Sequence, residues 1–135
     1  MITAVDTSVL IDVFGADTRF GQPSANALRL CLNEGALVAC GVVWAETRAA
    51  FPDDDEFARA VRALRIDFSP PTEQASTLAG LAWKNYRAAG GRRERVVADF
   101  MIGAHAVTQC DRLLTRDRGY FKKYFDGLVV LDPSK

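Results

Sequence analysis

The sequence predicts an α/β fold, a parallel five-stranded sheet flanked by helices on both faces. Five short apolar runs are rich in β-branched side chains and lack the polar alternation of a strand with one solvated face. Helical patterns separate these runs, and strands that alternate with helices are typical of parallel sheets. The predicted strands are residues 2–5, 37–40, 66–68, 112–115 and 128–131.

Helix signals in the first half of the chain follow two of these strands. A short helix is predicted directly after Asp6 and Thr7. Ser24 is a good N-cap residue, so the next helix is predicted to begin there and to end at Gly35. A third helix is predicted over residues 43–50.

Capping signals are clearer in the second half. Asp53, followed three residues later by Glu56, has the form of a capping box and opens a helix. Thr72, after two prolines, starts a long helix that Gly90 and Gly91 end. The last two predicted helices cover residues 96–109 and 120–124.

Length and composition predict a single domain over residues 1–135. The chain is 49% hydrophobic and 25% charged, which suits one soluble core. Its 17 basic and 17 acidic residues exclude a protein that coats nucleic acid by bulk charge. No apolar run is long enough to span a bilayer, and the N-terminus lacks the basic start of a signal peptide. We therefore expect a cytoplasmic protein with reduced thiols at Cys31, Cys40 and Cys110.

Four carboxylates fall where the chemistry of a parallel sheet is expected. Asp6 follows the first strand, Asp117 follows the fourth, Glu46 lies on the helix after the second, and Asp99 lies in a first helical turn. Ligands of such sheets bind at the carboxyl ends of the strands. The fold therefore predicts that these acids converge at one edge.

Each acid alone has a simpler interpretation, as a helix cap or a partner of the helix dipole. Asp6 and Asp99, however, have apolar neighbours, where a carboxylate is costly unless it is paired or metal-bound. Two unit charges about 4 Å apart repel by about 4 kcal/mol at an effective dielectric near 20. A cluster of acids therefore favours a divalent cation, and oxygen ligands favour Mg²⁺ or Mn²⁺ over zinc.

Four segments, VDTSVLID, WAE, VADFMIGAHA and LLTRDRGYFKKYF, together resemble the signature segments of the PIN domain, and in particular of VapC-type toxins from type II toxin–antitoxin pairs. The resemblance covers nearly the whole chain, in order. It implies an α/β/α sandwich and a metal-dependent endoribonuclease with Mg²⁺ or Mn²⁺ as cofactor. Asp6, Glu46, Asp99 and Asp117 would form its acidic pocket.

The resemblance also implies roles within that pocket. Asp6, Asp99 and Asp117 would be metal ligands, while Glu46 would either bind the metal through water or orient the attacking water. Thr115 and Ser8 match polar helper positions that hydrogen-bond the acids or metal-bound water. Hydrolysis by water would leave a 3′-hydroxyl and a 5′-phosphate on the RNA.

Basic residues near two of the acids predict a rim that binds RNA phosphates. The alternative is a solvated helix end and loop, where basic side chains also suit the dipole. The rim residues are Arg92, Arg93, Arg95, Arg116 and Arg118, with Lys84, Arg87, Lys122 and Lys123 nearby.

Partners also follow from the resemblance. It implies a small cognate antitoxin that covers a hydrophobic groove and the acidic pocket, and a homodimer of the toxin. Core membership is the alternative for most of the apolar residues that could line such a groove, which are Leu10, Ile11, Phe14, Leu28, Trp44 and Phe57.

His105 is the only histidine and lies six residues after Asp99, on a different helical face, so we interpret it as structural. Two other functions are alternatives. A HAD-type phosphatase would need a second acid where Ser8 stands. A non-catalytic α/β binding module would explain the fold but not four acids at these places.

Overall fold

The computed structural model describes residues 1–92 and 96–135, and of Arg118 it describes the backbone alone. The predicted fold class is confirmed, because five parallel strands form one sheet between helices. The strands are β1 (Ile2–Val5), β2 (Ala36–Ala39), β3 (Ile66–Phe68), β4 (Arg112–Leu114) and β5 (Val130–Leu131). The helices are α1 (Thr7–Phe14), α2 (Gly21–Glu34), α3 (Gly41–Arg48), α4 (Asp54–Ala63), α5 (Glu73–Ala88), α6 (Val97–Gln109) and α7 (Arg118–Tyr124).

The strand order β3-β2-β1-β4-β5 determines where a ligand can bind. The chain builds outward from β1 to β3 on one side and then returns to add β4 and β5 on the other. Thr3 of β1 lies in register with Leu37 on one side and Arg112 on the other. The topological switch point therefore lies between β1 and β4, and a binding crevice is expected at their carboxyl ends.

The fifth strand is shorter than predicted. Leu128 was expected to begin it, but its amide donates to the carbonyl of Phe125 in a turn, and pairing with β4 starts at Val130. Leu128 is nevertheless buried, because it packs against the core. The apolar character of Leu128 therefore indicates that its side chain is buried and not that it pairs with β4.

The second helix begins three residues earlier than predicted. Ser24 does not cap it, because its hydroxyl donates to the buried carboxylate of Asp12 at 3.1 Å. Pro23 fits in the first turn, where its missing N–H would have had no partner. The predicted caps at Asp53 and Thr72 are confirmed, since their side chains accept from backbone amides three residues on, at 2.8 and 3.1 Å.

The core fills both faces of the sheet. The strand residues Ala4, Val5, Leu37 and Leu113 are buried, as expected for strands covered on both sides. The three cysteines are free thiols, and burial raises their pKa values, that of Cys110 to about 11. None of the helices within the described ranges combines the length and apolar composition that a bilayer crossing requires.

Candidate active site

Asp6 lies at the centre of the predicted crevice. It follows β1 directly and is the N-cap of α1, so the strand places it at the carboxyl edge of the sheet. Its Oδ1 accepts from the amide of Thr7 at 2.7 Å, and its Oδ2 accepts from the hydroxyl of Thr115 at 2.7 Å. Both carboxylate oxygens are thus held in place.

Thr115 joins the two strands that flank the switch point. Its side chain is fully buried, and the Oγ1 atom that donates to Asp6 also accepts from the amide of Asp117 at 3.0 Å. Asp117 in turn is the residue just before α7. A single hydroxyl therefore orients the Asp6 carboxylate and holds the backbone of Asp117.

Asp99 reaches the same region from α6. It lies in the first turn of that helix, where its Oδ2 accepts from the amide of Val96 at 3.0 Å. Burial raises the pKa of Asp6, and the negative charges of Asp117 and Asp99 raise it further against the hydrogen bonds from Thr115 and Thr7. In the structure, Asp99 and Asp117 are therefore close enough for their charges to act on Asp6.

Glu46 is attached to this group by a residue that the sequence did not point to. Its Oε1 accepts from the hydroxyl of Thr7 at 2.8 Å, which links α3 to the start of α1. Thr7 and not Ser8 makes this contact, and the Ser8 hydroxyl is buried with no hydrogen-bond partner within the described chain. Adjacency to Asp6 at a helix start was the signal that could have identified Thr7.

The donor set matches a hard divalent cation. Three carboxylates and nearby hydroxyls are oxygen ligands of the kind Mg²⁺ and Mn²⁺ prefer, and the sole histidine is not among them. Within residues 1–92 and 96–135, however, no three His, Cys, Asp or Glu side chains are gathered closely enough to hold a metal. The acids are near enough to perturb the pKa of Asp6 without forming a closed coordination cage.

The basic residues have different surroundings. Arg92 is exposed, and its carbonyl accepts from the hydroxyl of Tyr86. Arg116 is bound to Asp12 through two hydrogen bonds of 2.7 and 3.0 Å. Arg93, Arg95 and the side chain of Arg118 lie outside the described residues.

His105 is placed in the core, away from the acids. It is 1% exposed, and its Nε2 lies 2.9 Å from the hydroxyl of Ser69. Burial lowers the pKa of this imidazole from its usual value. This environment agrees with a structural histidine.

The contribution of His105 to the free energy of unfolding should therefore decrease as the pH drops below about 6.5. The unfolded chain binds a proton on His105 before the folded chain does, so the stabilisation is complete above the unfolded pKa and is lost as pH falls through the folded one. Replacing the residue by asparagine should reduce the difference between urea midpoints at pH 7.5 and 5.5. Equal differences in wild type and His105→Asn would contradict this.

A family model supplies the decisive comparison. The PIN domain model matches residues 3–126, which is most of the chain. The chain belongs to the PIN domain family. This membership decides against the alternative of a HAD-type phosphatase. The sequence matches no functionally curated protein.

Solved structures of this fold resemble the chain along its whole length. One such structure is VapBC2 from Rickettsia felis, bound to a DNA fragment from the VapBC2 promoter. Its matching chain is 14% identical to this one, with a TM-score of 0.74 and 98% of each chain covered. VapBC-1 from nontypeable Haemophilus influenzae is 21% identical, with TM-score 0.72 and full coverage of both. FitAcB from Neisseria gonorrhoeae is 20% identical, with TM-score 0.68 and 98% of each covered. At these identities the likeness shows a shared fold.

Proposed function

We propose that this PIN-domain protein is a Mg²⁺- or Mn²⁺-dependent endoribonuclease and the toxin of a VapBC-type toxin–antitoxin pair. One observation carries the proposal: Asp6 is buried at the switch point of a PIN fold, and the Thr115 hydroxyl joins it to the backbone of Asp117. Burial raises the pKa of Asp6, and the charges of Asp117 and Asp99 raise it further. Acids that repel one another there favour a cation between them. PIN-domain toxins are generally nucleases, which fits such a site.

The residues of the pocket have three proposed roles: binding the metal, orienting an acid and orienting the attacking water. Asp6, Asp99 and Asp117 would hold the metal, which when bound lowers the pKa of a water and stabilises charge on the scissile phosphate. Thr115 holds Asp6 in one orientation through its 2.7 Å hydrogen bond. Thr7 holds the exposed Glu46, which we assign to orienting the attacking water.

Ser8 is proposed as a weaker helper. Its buried hydroxyl has no partner among the described residues, so it is available to a water within the pocket. The residue lies two positions after Asp6, in the first turn of α1. Thr115 already makes a direct contact with an acid and is the stronger of the two.

RNA would be held by basic residues beside the pocket. Lys84 and Arg87 are exposed on the last turns of α5, and this helix packs against α6, which carries Asp99. Positive charge there would bind phosphates while the acids cut the chain. We include Arg92, Arg93, Arg95 and Arg118 in this rim, and leave out Arg116 because Asp12 occupies its guanidinium.

The function is tested by metal-dependent cleavage. Purified protein should cut a single-stranded RNA with Mg²⁺ or Mn²⁺, stop when a chelator is added, and recover when the metal is restored in excess. The products should carry 5′-phosphates, which a 5′-phosphate-dependent exonuclease would degrade. Cleavage that persists in the chelator, or products with cyclic phosphates, would refute a metal-activated water.

An antitoxin would cover an apolar cavity of about 500 Å³ between α3, α4 and β3. Trp44, Phe57 and Ala58 line it, and Arg62 and Arg65 stand at its border. Two other residues of the predicted apolar set, Leu10 and Leu28, are buried in the core. We therefore propose this cavity as the place where the antitoxin docks, and a homodimer as the toxin's state.

Docking is tested by coexpression with a candidate antitoxin, the product of a small reading frame encoded next to this chain. It should copurify with the wild-type chain and not with Ala58→Arg, because an arginine there fills the cavity without disturbing the core. Leu81→Arg is the control, since Leu81 is 54% exposed on α5 and does not line this cavity. Equal capture by both variants would contradict the proposed site, and light scattering reports the dimer.

A further inference from the structure

Asp12 is a buried acid that has no role in the proposed metal site. It lies on α1, and only 4% of it is exposed. A carboxylate at this depth is unfavourable without a charged or hydrogen-bonded partner. Its partners come from α2 and from the turn after β4.

Arg116 provides the charge, in a two-point contact. Its Nε lies 2.7 Å from Oδ2 of Asp12, and its Nη2 lies 3.0 Å from Oδ1. Ser24 of α2 donates to Oδ2 at 3.1 Å, and the ring of Phe20 lies 4.1 Å from the guanidinium carbon. The guanidinium is thus bound to a carboxylate through two N–H groups and lies over an aromatic ring.

This ion pair connects the segments that carry two of the acids, Asp6 and Asp117. Asp12 belongs to the helix that Asp6 caps, and Arg116 stands between Thr115 and Asp117. The same segments already meet at the hydrogen bond from Thr115 to Asp6. Two separate points of attachment restrain both the distance and the relative orientation of α1 and the turn after β4.

We propose that the Asp12–Arg116 pair is a positioning device for the acidic pocket. By anchoring the turn after β4 to α1, it directs the Thr115 hydroxyl and the Asp117 carboxylate toward Asp6. Arg116 is then a positioning residue and not part of the RNA-binding rim. The catalytic part of this inference rests on the proposed nuclease function.

Removing either partner distinguishes positioning from phosphate binding. Asp12 is a buried acid, so it does not itself bind the phosphates of RNA. If Arg116 bound phosphate, Asp12→Asn would release its guanidinium and leave cleavage intact or improve it. If the pair positions the pocket, Asp12→Asn and Arg116→Gln should be equally harmful.

The experiment is a double-mutant cycle with Asp12→Asn, Arg116→Gln and their combination. We expect each single variant to lose about 10- to 100-fold in Mn²⁺ affinity and in kcat, as when partners of metal ligands are removed, with KM unchanged. The double variant should be no worse than either single one, since both remove the same contact. Asp54→Asn is the control, because it breaks the exposed 2.6 Å pair with Arg48.

A third readout, amide hydrogen exchange at Asp117, depends on neither metal nor RNA. That amide donates to Thr115 Oγ1, so it should exchange faster in Asp12→Asn and not in Asp54→Asn. If the exchange rate at Asp117 is unchanged in Asp12→Asn, the positioning role is overturned, whatever the wild type does with Mn²⁺ or RNA. A wild type that neither binds Mn²⁺ nor cuts RNA would refute the proposed nuclease and leave the exchange test in place. A rise in KM alone for Arg116→Gln also overturns it.

Arg116→Lys keeps the test decisive if Asp12→Asn does not fold. Lysine retains the charge but not the two-point contact, so the positioning role predicts reduced Mn²⁺ affinity and faster exchange at Asp117. Wild-type values of both in a folded Arg116→Lys would overturn the proposal.

Discussion

Asp6→Asn should abolish RNA cleavage and yet make the metal-free protein harder to unfold. The single oxygen of asparagine can still accept from the Thr7 amide, so the cap of α1 is kept. Its NH2 group then faces Thr115 Oγ1, and the hydroxyl accepts there instead of donating. Asparagine cannot supply the charge that a metal ligand needs, and the loss in kcat should exceed the roughly 100-fold seen when an outer partner of a ligand is removed. The substitution also ends the cost of burying a carboxylate near Asp99 and Asp117.

The stability gain should depend on pH in a defined direction. Because the folded-state pKa of Asp6 is raised above 3.8, the folded protein binds this proton more tightly than the unfolded chain. Wild-type stability relative to the variant is therefore highest below the unfolded pKa and decreases as pH rises through the folded one. Urea unfolding in chelator at pH 4 and pH 7 measures this change.

Asp55→Asn is the matched control for this prediction, because Asp55 is an exposed acid in the first turn of α4. It should leave cleavage within twofold of wild type and show no comparable gain in stability. Cleavage by Asp6→Asn near the wild-type rate would refute the assignment of this acid. A variant less stable than wild type at pH 7 in chelator would refute the electrostatic argument.

Phe100→Ala should cost about 3–5 kcal/mol of unfolding free energy, the usual range for truncating a buried phenylalanine. Phe100 is fully buried, and its ring centroid lies 5.4 Å from that of Tyr86 on α5 and 5.4 Å from that of Tyr120 on α7. It thus joins three helices. Domains are stable by only about 5–15 kcal/mol, so this loss is a large share of the total.

The truncation should also affect the acids, because Asp99 lies in the first turn of α6 and α7 begins just after Asp117. Phe100 packs these two helices together, so its truncation should also lower Mn²⁺ affinity in the fraction that stays folded. Urea unfolding measures the first effect and calorimetric titration the second. Phe100→Leu should lose less stability, and Leu81→Ala, at an exposed site, should stay within about 0.5 kcal/mol of wild type. A loss below about 1 kcal/mol for Phe100→Ala would contradict the packing argument.

Much of the fold was predictable because it depends on local patterns. Apolar runs predicted the five strands, and Asp53 and Thr72 predicted the helix starts that their side chains cap. The prediction for Ser24 was wrong, since a residue that can cap a helix can also serve a buried partner. Local sequence does not show which of these roles a hydroxyl takes.

The candidate site was likewise predictable only in part. The positions of Asp6 and Asp117 followed from the ends of their strands, because parallel strands bring their carboxyl ends to one edge. The contacts that orient the acids did not follow. Thr7 was missed as the partner of Glu46, and Arg116 was expected to face RNA.

The difference between what was predictable and what was not has a physical cause. Strand and helix patterns arise from neighbours a few positions apart, so the α/β class and the positions of Asp6 and Asp117 just after their strands were already contained in the printed sequence. The Thr115–Asp6 hydrogen bond spans 109 positions and the Arg116–Asp12 pair spans 104. Contacts of that range depend on the directions of side chains after the sheet has formed. Only the tertiary structure could decide that Arg116 is bound to a buried acid and that Thr7 is the residue that holds Glu46.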